Sequence, residues 1–321
     1  KKIFIKKVFF NNITNYNLYI LPNGRVYSDT TMDTAFMLDK NLVKEPSFQY
    51  RYKKNFKIIN GKIKDNFVVK NGTPNILKKI NGNVLSLLTG GAGKTNYWHW
   101  IFDVLPRIGI LEKSNVKIKP DYYLLPSLSK KYQKQSFKEL KISASSLIDG
   151  EENKYLESIN LLAVDHPINI NNNPTKSITN IPTWVIAWLK KKFIKKHYNN
   201  SNIPKKIFIN RESDSNLSAR KIINNKELKN LLTSLGFKGV TLSDLDFKNQ
   251  IKLFSNVNFI IGLHGAGFAN IVFCKKNTKI IEIGTNTSGD LFKSLAKKCQ
   301  LNYKKIIEKN TLTSLKFQNS H

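Results

Sequence analysis

The sequence predicts an α/β protein with two Rossmann-like, doubly wound domains and a small β-rich region at its start. Apolar strand-like runs alternate with helical segments on both sides of the polar stretch 165–183, as in βαβ units. A glycine turn follows an apolar run directly in 259–267. Asn-Gly pairs are concentrated near the start. We therefore assign 1–83 to the β-rich region, 84–180 to the first domain and 181–321 to the second.

The first region alternates short apolar runs with turn signals. Asn-Gly is the dipeptide most typical of tight hairpin turns, because both residues accept a positive φ. Four such pairs predict hairpins: Asn23-Gly24, Asn60-Gly61, Asn71-Gly72 and Asn81-Gly82. We assign no chemistry to this region.

The remaining elements follow from the same alternation of apolar runs and amphipathic segments. In the first domain we expect strands at 84–88, 122–125, 146–149 and 159–164 and a helix at 130–140. In the second we expect helices at 184–198, 227–235 and 289–298, strands at 206–209, 240–242 and 303–307, and a helix ending at Phe254 whose N-cap is Ser243.

Composition is typical of a soluble globular protein, with 40% hydrophobic and 23% charged residues. No run of 18 apolar residues occurs, and the opening KKIFIKKVFF does not resemble a signal peptide. Cys274 and Cys299 have neither metal-ligand spacing nor a disulfide framework. We expect a cytoplasmic protein without a metal site.

The formal net charge of +31 comes mainly from Lys, since only five of the 53 basic residues are Arg. No basic motif with interleaved aromatic residues, zinc finger or recognition helix is present, so we expect no nucleic acid partner. The charge is compatible with peripheral contact with the anionic inner face of a membrane. Where Lys dominates, a retained Arg indicates a need for the planar guanidinium, and Arg211 and Arg220 lie close together in the chain.

The glycine turn is the strongest candidate for a ligand site. The strand-like run 259–261 is followed by Gly262, Gly265 and Gly267 and then by a short helix at 268–273. Phosphates bind at such helix starts, at the carboxyl end of a parallel strand. An ordinary tight turn fits the pattern as well, but His264 within the turn favours a site. Glu282 interrupts another apolar run, so we expect it at the strand's mouth or paired.

A second glycine cluster, 89–95, does not match a phosphate-binding P-loop. In that motif four residues separate the first Gly from the Gly of Gly-Lys-Ser/Thr. With Gly93-Lys94-Thr95 as its end, the first glycine would stand at position 88, which is Leu88.

The aromatic segment 96–107 carries a polar stripe. On a helix Asn96, His99 and Asp103 share one face. Two interpretations remain open: a hydrogen-bond network that fixes the helix start, or an acid/base face that lines a cleft.

Together these motifs resemble glycosyltransferase family 61, a group of inverting transferases related to capsular-polysaccharide biosynthesis proteins. The resemblance rests on N-Y-x-H-W-x-x-D-x-L-P-R at Asn96–Arg107, on Arg211 and Arg220, on G-x-H-G-A-G-x-x-N at Gly262–Asn270, and on Glu282. It implies a GT-B fold, in which two Rossmann-like domains face a cleft.

The resemblance also implies a site. The donor would be a nucleotide sugar, UDP-linked, and the acceptor a glycan or lipid-linked saccharide. Asp103 is the expected base, with His99 as its alternative or partner, and Asn96 and Arg107 lie on the acceptor side. The expected donor-binding residues are Arg211, Arg220, His264, Gly265, Ala266, Gly267, Asn270 and Glu282, with Glu282 on the ribose. The alternative is a non-catalytic glycan- or polyanion-binding protein on the same fold.

Overall fold

The structure is a computed structural model, and it divides the chain into two compact units, Lys1–Trp188 and Leu189–His321. It describes residues 2–10, 15–28, 34–47, 64, 66–88, 93–168, 178–195, 203–210, 224–285 and 288–308.

The first unit contains a mixed nine-stranded sheet in its described residues. Its strands are β1 (Phe4–Phe9), β2 (Asn15–Pro22), β3 (Arg25–Ser28), β4 (Thr34–Leu38), β5 (Asn41–Val43), β6 (Lys78–Ser86), β7 (Tyr122–Leu125), β8 (Leu147–Asp149) and β9 (Tyr155–Val164). The order is β5-β4-β3-β9-β6-β7-β8, with β2 also paired to β9 and β1 to β2. The β9–β6, β6–β7 and β7–β8 pairs are parallel, and the others are antiparallel.

Strand β9 joins the two kinds of pairing. One edge pairs first with β3 and then with β2, while the other edge pairs with β6. The ranges 1–83 and 84–180, which the sequence analysis separates, therefore share one sheet. For the same reason this sheet is mixed, where a wholly parallel one was expected.

The Asn-Gly pairs give three different structures. Asn23-Gly24 is a turn, but it joins two strands that both pair with β9 and not with each other. Gly72 ends a short helix with a φ of 70°. Asn81-Gly82 lies inside β6, where the register to β9 shifts. The hairpin predictions at these three pairs are wrong, because the strands on either side pair elsewhere, and Asn60-Gly61 lies outside the described residues.

The helices of the first unit lie in its connections. They are α1 (Lys44–Ser47), α2 (Phe67–Asn71), α3 (Tyr97–His99), α4 (Pro106–Ser114) and α5 (Lys131–Glu139), with a 3₁₀ turn at Ala144–Ser146. The boundary between the units falls within α6 (Thr183–Phe193).

In the part of the second unit that the structure describes, five strands form a parallel sheet. Its strands are β10 (Lys206–Asn210), β11 (Lys238–Thr241), β12 (Phe259–Leu263), β13 (Lys279–Thr285) and β14 (Asn302–Glu308). Its helices are α7 (Asn225–Ser234), α8 (Phe247–Phe254) and α9 (Leu291–Lys298), with 3₁₀ segments at Leu242–Asp244 and Ala266–Phe273. Parallel strand pairs in both units, together with the helices between them, confirm the α/β class.

The strand order of the second unit is β11-β10-β12-β13-β14. Counted from β10 this is 2-1-3-4-5, a doubly wound arrangement in which the direction of winding reverses between β10 and β12. Ligands of such sheets bind outside the carboxyl ends of the strands at this switch point. The glycine turn follows β12 and therefore lies at this position.

One predicted helix cap in the second unit is wrong. The N-cap of α8 is Asp246, whose side chain accepts a hydrogen bond from the Asn249 amide at 2.6 Å. The predicted cap, Ser243, lies in the preceding 3₁₀ turn. Phe247, Ile251 and Phe254 are buried on one face of the helix, so the apolar pattern was the more reliable signal.

Candidate active site

The polar stripe of the first unit lies on a helix that widens in its middle. The side chain of Asn96 caps the helix by accepting a hydrogen bond from the Trp98 amide at 2.9 Å. A π-turn follows at Trp100–Val104, closed by a 3.1 Å bond from the Leu105 amide to the Trp100 carbonyl. Pro106 has no N–H and crowds the preceding turn, which accounts for the widening. Such π-turns often occur at functional sites.

Asp103 and His99 form a closely hydrogen-bonded pair on this helix. Nδ1 of His99 lies 2.5 Å from Oδ2 of Asp103. The Asp103 side chain is only 1% exposed, whereas that of His99 is 18% exposed. The imidazole is therefore the member of the pair that reaches the surface.

A second imidazole faces the same carboxylate. Nε2 of His166 lies 3.6 Å from Oδ2 of Asp103. The His166 ring is buried, and its Nδ1 lies 3.0 Å from the Ile168 carbonyl oxygen. The sequence motifs do not include this residue. Its signal was present, because His166 follows the apolar strand β9 almost directly and thus lies at the carboxyl end of a strand that pairs in parallel with β6.

The pKa values of the pair move in opposite directions. Burial by itself raises the pKa of Asp103, but the imidazoles of His166 and His99 hold it well below its usual value. Burial lowers the pKa of His99, and the charge and hydrogen bond of Asp103 outweigh this and raise it. The carboxylate stays ionised and stabilises a proton on His99.

Arg107, predicted on the acceptor side, is buried in the same helix. Its Nε donates to the Asp103 carbonyl oxygen at 2.9 Å and its Nη1 donates to the Val164 carbonyl oxygen at 3.0 Å. Burial lowers its pKa to about 10, although Asp103 and Asp165 oppose that change. Arg107 thus connects the helix to the end of β9.

In the second unit, the glycine turn brings amide groups to the end of β12. The His264 amide donates to the Ile283 carbonyl oxygen at 2.7 Å and so extends the pairing with β13. The 3₁₀ helix starts at Ala266 after the N-cap residue Gly265. As at any helix start, the first amides, here those of Ala266 and Gly267, have no acceptor within the helix. The His264 amide therefore already has an acceptor within the sheet, and the turn amides that could bind a ligand are those of Ala266 and Gly267.

Some of the glycines in the turn make room for protein side chains. A Cβ at Gly262 would lie 3.0 Å from the Phe268 ring, and one at Gly267 would lie 2.7 Å from Leu242. Asn270 is fully buried and donates to Gln250 Oε1 at 2.9 Å. These contacts support the turn from the interior of the second unit.

Glu282 is a fully buried carboxylate with two partners. Oε1 accepts a hydrogen bond from Nδ1 of His264, and Oε2 accepts one from the Tyr303 hydroxyl. Of the two expectations for this carboxylate, at the strand's mouth or paired, the structure shows the paired one. The expected role of Glu282 on the ribose remains a prediction, and in this structure both of its oxygens are engaged by the protein.

Two predicted donor-binding residues, Arg211 and Arg220, lie outside the described residues, as do 89–92 of the rejected P-loop.

Within the described ranges, no three His, Cys, Asp or Glu side chains are grouped so that they could hold a metal ion. None of the helices in that part of the chain has the length and apolarity needed to span a membrane.

Comparison with known proteins identifies a family. The curated proteins contain no match for this chain. A family model described as Glycosyltransferase 61 matches residues 97–281, which is more than half of the chain. The matched range includes the His99–Asp103 pair and His264, and it ends one residue before Glu282. The chain therefore belongs to glycosyltransferase family 61, and the activity that this family implies is transfer of a sugar from a donor to a glycan acceptor.

Proposed function

We propose that the protein is an inverting glycosyltransferase that moves a sugar from a UDP-linked donor to a hydroxyl of a glycan or lipid-linked saccharide during polysaccharide synthesis. In a GT-B arrangement the first unit would bind the acceptor and the second the donor. The observation that carries the proposal is the pair formed by His99 and the buried Asp103 within the family match.

His99 is the better candidate for the base. A base must come within hydrogen-bond reach of the proton that it removes. Asp103 is almost inaccessible, and its pKa is held low, so it is a weak proton acceptor. Its bond to Nδ1 leaves Nε2 of His99 for the acceptor hydroxyl. Asp103 would then orient the imidazole and stabilise its charge, as the aspartate of a catalytic triad does.

The reaction is a single displacement at the anomeric carbon. The acceptor oxygen attacks that carbon while His99 Nε2 takes the hydroxyl proton. The bond between the anomeric carbon and the phosphate oxygen breaks, and its electron pair leaves with the nucleoside diphosphate. The transition state is oxocarbenium-like, as in glycoside hydrolysis.

Donor binding is proposed for the second unit. The switch point between β10 and β12, the amides of Ala266 and Gly267, and the partly exposed His264 support this assignment. Arg211 follows β10 directly in the sequence. With Arg220 it would supply forked contacts to the diphosphate as negative charge develops on the leaving group.

The test combines binding and turnover. We expect UDP to raise the melting temperature of the wild-type protein, and ATP with Mg²⁺ to have no specific effect. A panel of UDP-sugars with oligosaccharide acceptors then measures transfer by the wild type, His99→Ala and the control Lys113→Ala, whose side chain is exposed on the same helix. Transfer lost only in His99→Ala supports the proposal. Glycan binding without transfer, or polyanion binding that collapses with salt, favours the binding-protein alternative.

A further inference from the structure

The carboxylate oxygen that bonds to the proposed base has a second imidazole beside it. Nδ1 of His99 lies 2.5 Å from Oδ2 of Asp103, and Nε2 of His166 lies 3.6 Å from the same atom. The two histidines come from distant parts of the chain, since His99 lies on the helix that begins after Asn96 and His166 follows the end of β9. The proposed reaction uses only the first of them.

His166 is held by the loop that contains it. Its side chain is buried, and its Nδ1 lies 3.0 Å from the carbonyl oxygen of Ile168 and 3.1 Å from the amide nitrogen of the same residue. These contacts hold one end of the ring, and Nε2 at the other end faces Asp103. Because Nε2 faces an ionised carboxylate, this nitrogen carries a proton whether or not Nδ1 is protonated.

The contact between His166 and Asp103 acts through charge. At 3.6 Å the two atoms are too far apart for a hydrogen bond. A neutral ring directs the positive end of its N–H dipole at the carboxylate, and a protonated ring directs a full positive charge at it. Both states stabilise the negative charge on Oδ2, and the low dielectric of a buried site strengthens the effect.

Other charged groups lie close by, but they bond elsewhere. The guanidinium of Arg107 is near enough to Asp103 for the two charges to interact, and its Nε donates to the Asp103 backbone carbonyl oxygen. Asp165 accepts hydrogen bonds from Asn17 and from the Tyr19 hydroxyl. In the described part of the chain, the groups within ion-pair distance of the Asp103 carboxylate are therefore the two imidazoles.

We propose that His166 is a positioning residue for the proposed transfer, which stabilises the Asp103 carboxylate and thereby limits how strongly Asp103 holds a proton on His99. This inference rests on the proposed function. A base whose pKa lies far above the working pH is already protonated and cannot take the proton of the acceptor hydroxyl. Asp103 shifts His99 in that direction, and His166 opposes the shift because it interacts with the same oxygen.

The experiment titrates the His99 imidazole by NMR in the protein without ligand and then measures the pH profile of kcat/KM. His166→Asn keeps a polar group near the position of Nδ1 and removes the Nε2 end of the ring, whereas His166→Gln places an amide N–H near the position of Nε2. In His166→Asn the pKa of His99 and the acidic limb of the profile should rise by about one pH unit, the usual spread of histidine pKa values in proteins. In His166→Gln both should stay close to the wild type.

Two further measurements separate this effect from general damage to the fold. In the Asp103→Asn background, His166→Asn should leave the pKa of His99 nearly unchanged, because His166 acts through the carboxylate. Tyr16→Phe is the matched control, since the Tyr16 hydroxyl donates to the Pro167 carbonyl oxygen at 2.7 Å, beside His166 in the chain. This variant alters the same loop without removing a partner of Asp103, so the pKa of His99 should not move.

The outcomes distinguish this inference from the proposed function. An unchanged pKa of His99 in His166→Asn would overturn the inference and leave the proposed function intact, because His99 could still be the base. An equal shift with and without the Asp103 carboxylate would also overturn it, since His166 would then act on His99 directly. If His166→Asn does not fold, His166→Leu removes the same group and is judged by the same titration. Absence of transfer by the wild-type protein with every donor and acceptor would overturn both.

Discussion

Nδ1 of His99 lies 2.5 Å from Oδ2 of Asp103, and the two side chains differ sharply in exposure. The carboxylate is buried at the widened turn of the helix, and the imidazole reaches the surface one turn earlier. Residue spacing alone did not show which of the two side chains is the base and which one supports it. The difference in exposure does distinguish these roles. A buried carboxylate can orient and charge-stabilise a base, but it has no access to an acceptor hydroxyl.

The first prediction concerns turnover by the pair. His99→Ala should lower kcat by roughly two to four orders of magnitude, the usual contribution of general base catalysis. Asp103→Asn should also lower kcat, because the amide no longer stabilises the imidazolium. The double variant should be no slower than His99→Ala, since residues that act as a unit are not additive. Steady-state kinetics with saturating donor measures all three.

Donor affinity distinguishes a defect in catalysis from general damage to the fold. Donor affinity should be unchanged in these variants, because the donor is proposed to bind the second unit. An active and stable His99→Ala enzyme would contradict the assignment of His99 as the base, and Asp103 would then be the candidate. Loss of turnover, donor binding and melting temperature together would indicate a purely structural pair.

The second prediction concerns Arg107. Its two bonds to backbone carbonyls need a guanidinium, so Arg107→Lys should lose at least one of them. We expect the free energy of unfolding to fall by about 1–3 kcal/mol, with little change in the KM for acceptor. The matched control is Arg25→Lys, whose partly exposed guanidinium bonds to the Tyr155 hydroxyl at 2.9 Å. A raised acceptor KM without loss of stability would instead favour the acceptor-side role.

Much of the fold was predictable because hydrophobic periodicity reflects burial. The strands of the second unit and the turn after β12 follow from runs such as 259–261 and the apolar run around Glu282. The mixed sheet of the first unit was not predictable in this way. Its arrangement depends on β9 pairing with β2 and β3 on one edge, a contact that spans more than a hundred residues. Local turn signals carry no information about such partners.

The candidate site was predictable only in part. Spacing placed His99 and Asp103 on one helix face, which the structure confirms. Which of them is buried depends on packing around the π-turn and on His166, which approaches from the end of a distant strand. Similarly, the charge of Glu282 predicted either a place at the strand's mouth or a partner, and it could not identify Tyr303. That residue comes from a neighbouring strand whose register with β13 the sequence does not show.

The third prediction concerns Arg211 and uses sequence alone. Arg211→Lys keeps the charge but loses the planar fork, so UDP binding should weaken by the equivalent of roughly 1.5–3 kcal/mol. Lys94→Ala is the control, because Lys94 belongs to the rejected P-loop and forms an ion pair with Glu151. Titration calorimetry with UDP measures both variants. If Lys94→Ala abolished binding and Arg211→Lys left it unchanged, the donor site would be misplaced.

The last prediction is the pH dependence of the His99–Asp103 pair. A base works in its deprotonated form, so the acidic limb of the kcat/KM profile should follow the raised pKa of His99. In Asp103→Asn the carboxylate charge is gone, and burial then lowers the pKa of His99. The acidic limb should therefore move to lower pH even though the maximum rate falls. A limb that stays in place would show that His99 is not the titrating base.

The interaction between His99 and Asp103 should also make the stability of the fold depend on pH, in a direction that follows from the two pKa shifts. The raised pKa of His99 stabilises the fold below the unfolded value of about 6.5, and this contribution is lost as pH rises through the folded value. The lowered pKa of Asp103 stabilises the fold above about pH 4, and this contribution is lost as pH falls through the folded value. The melting-temperature difference between wild type and Asp103→Asn should thus be largest between about pH 4 and 6.5. It should shrink at higher pH as His99 loses its proton, whereas a difference that is constant from pH 5 to pH 9 would mean that the pair does not titrate.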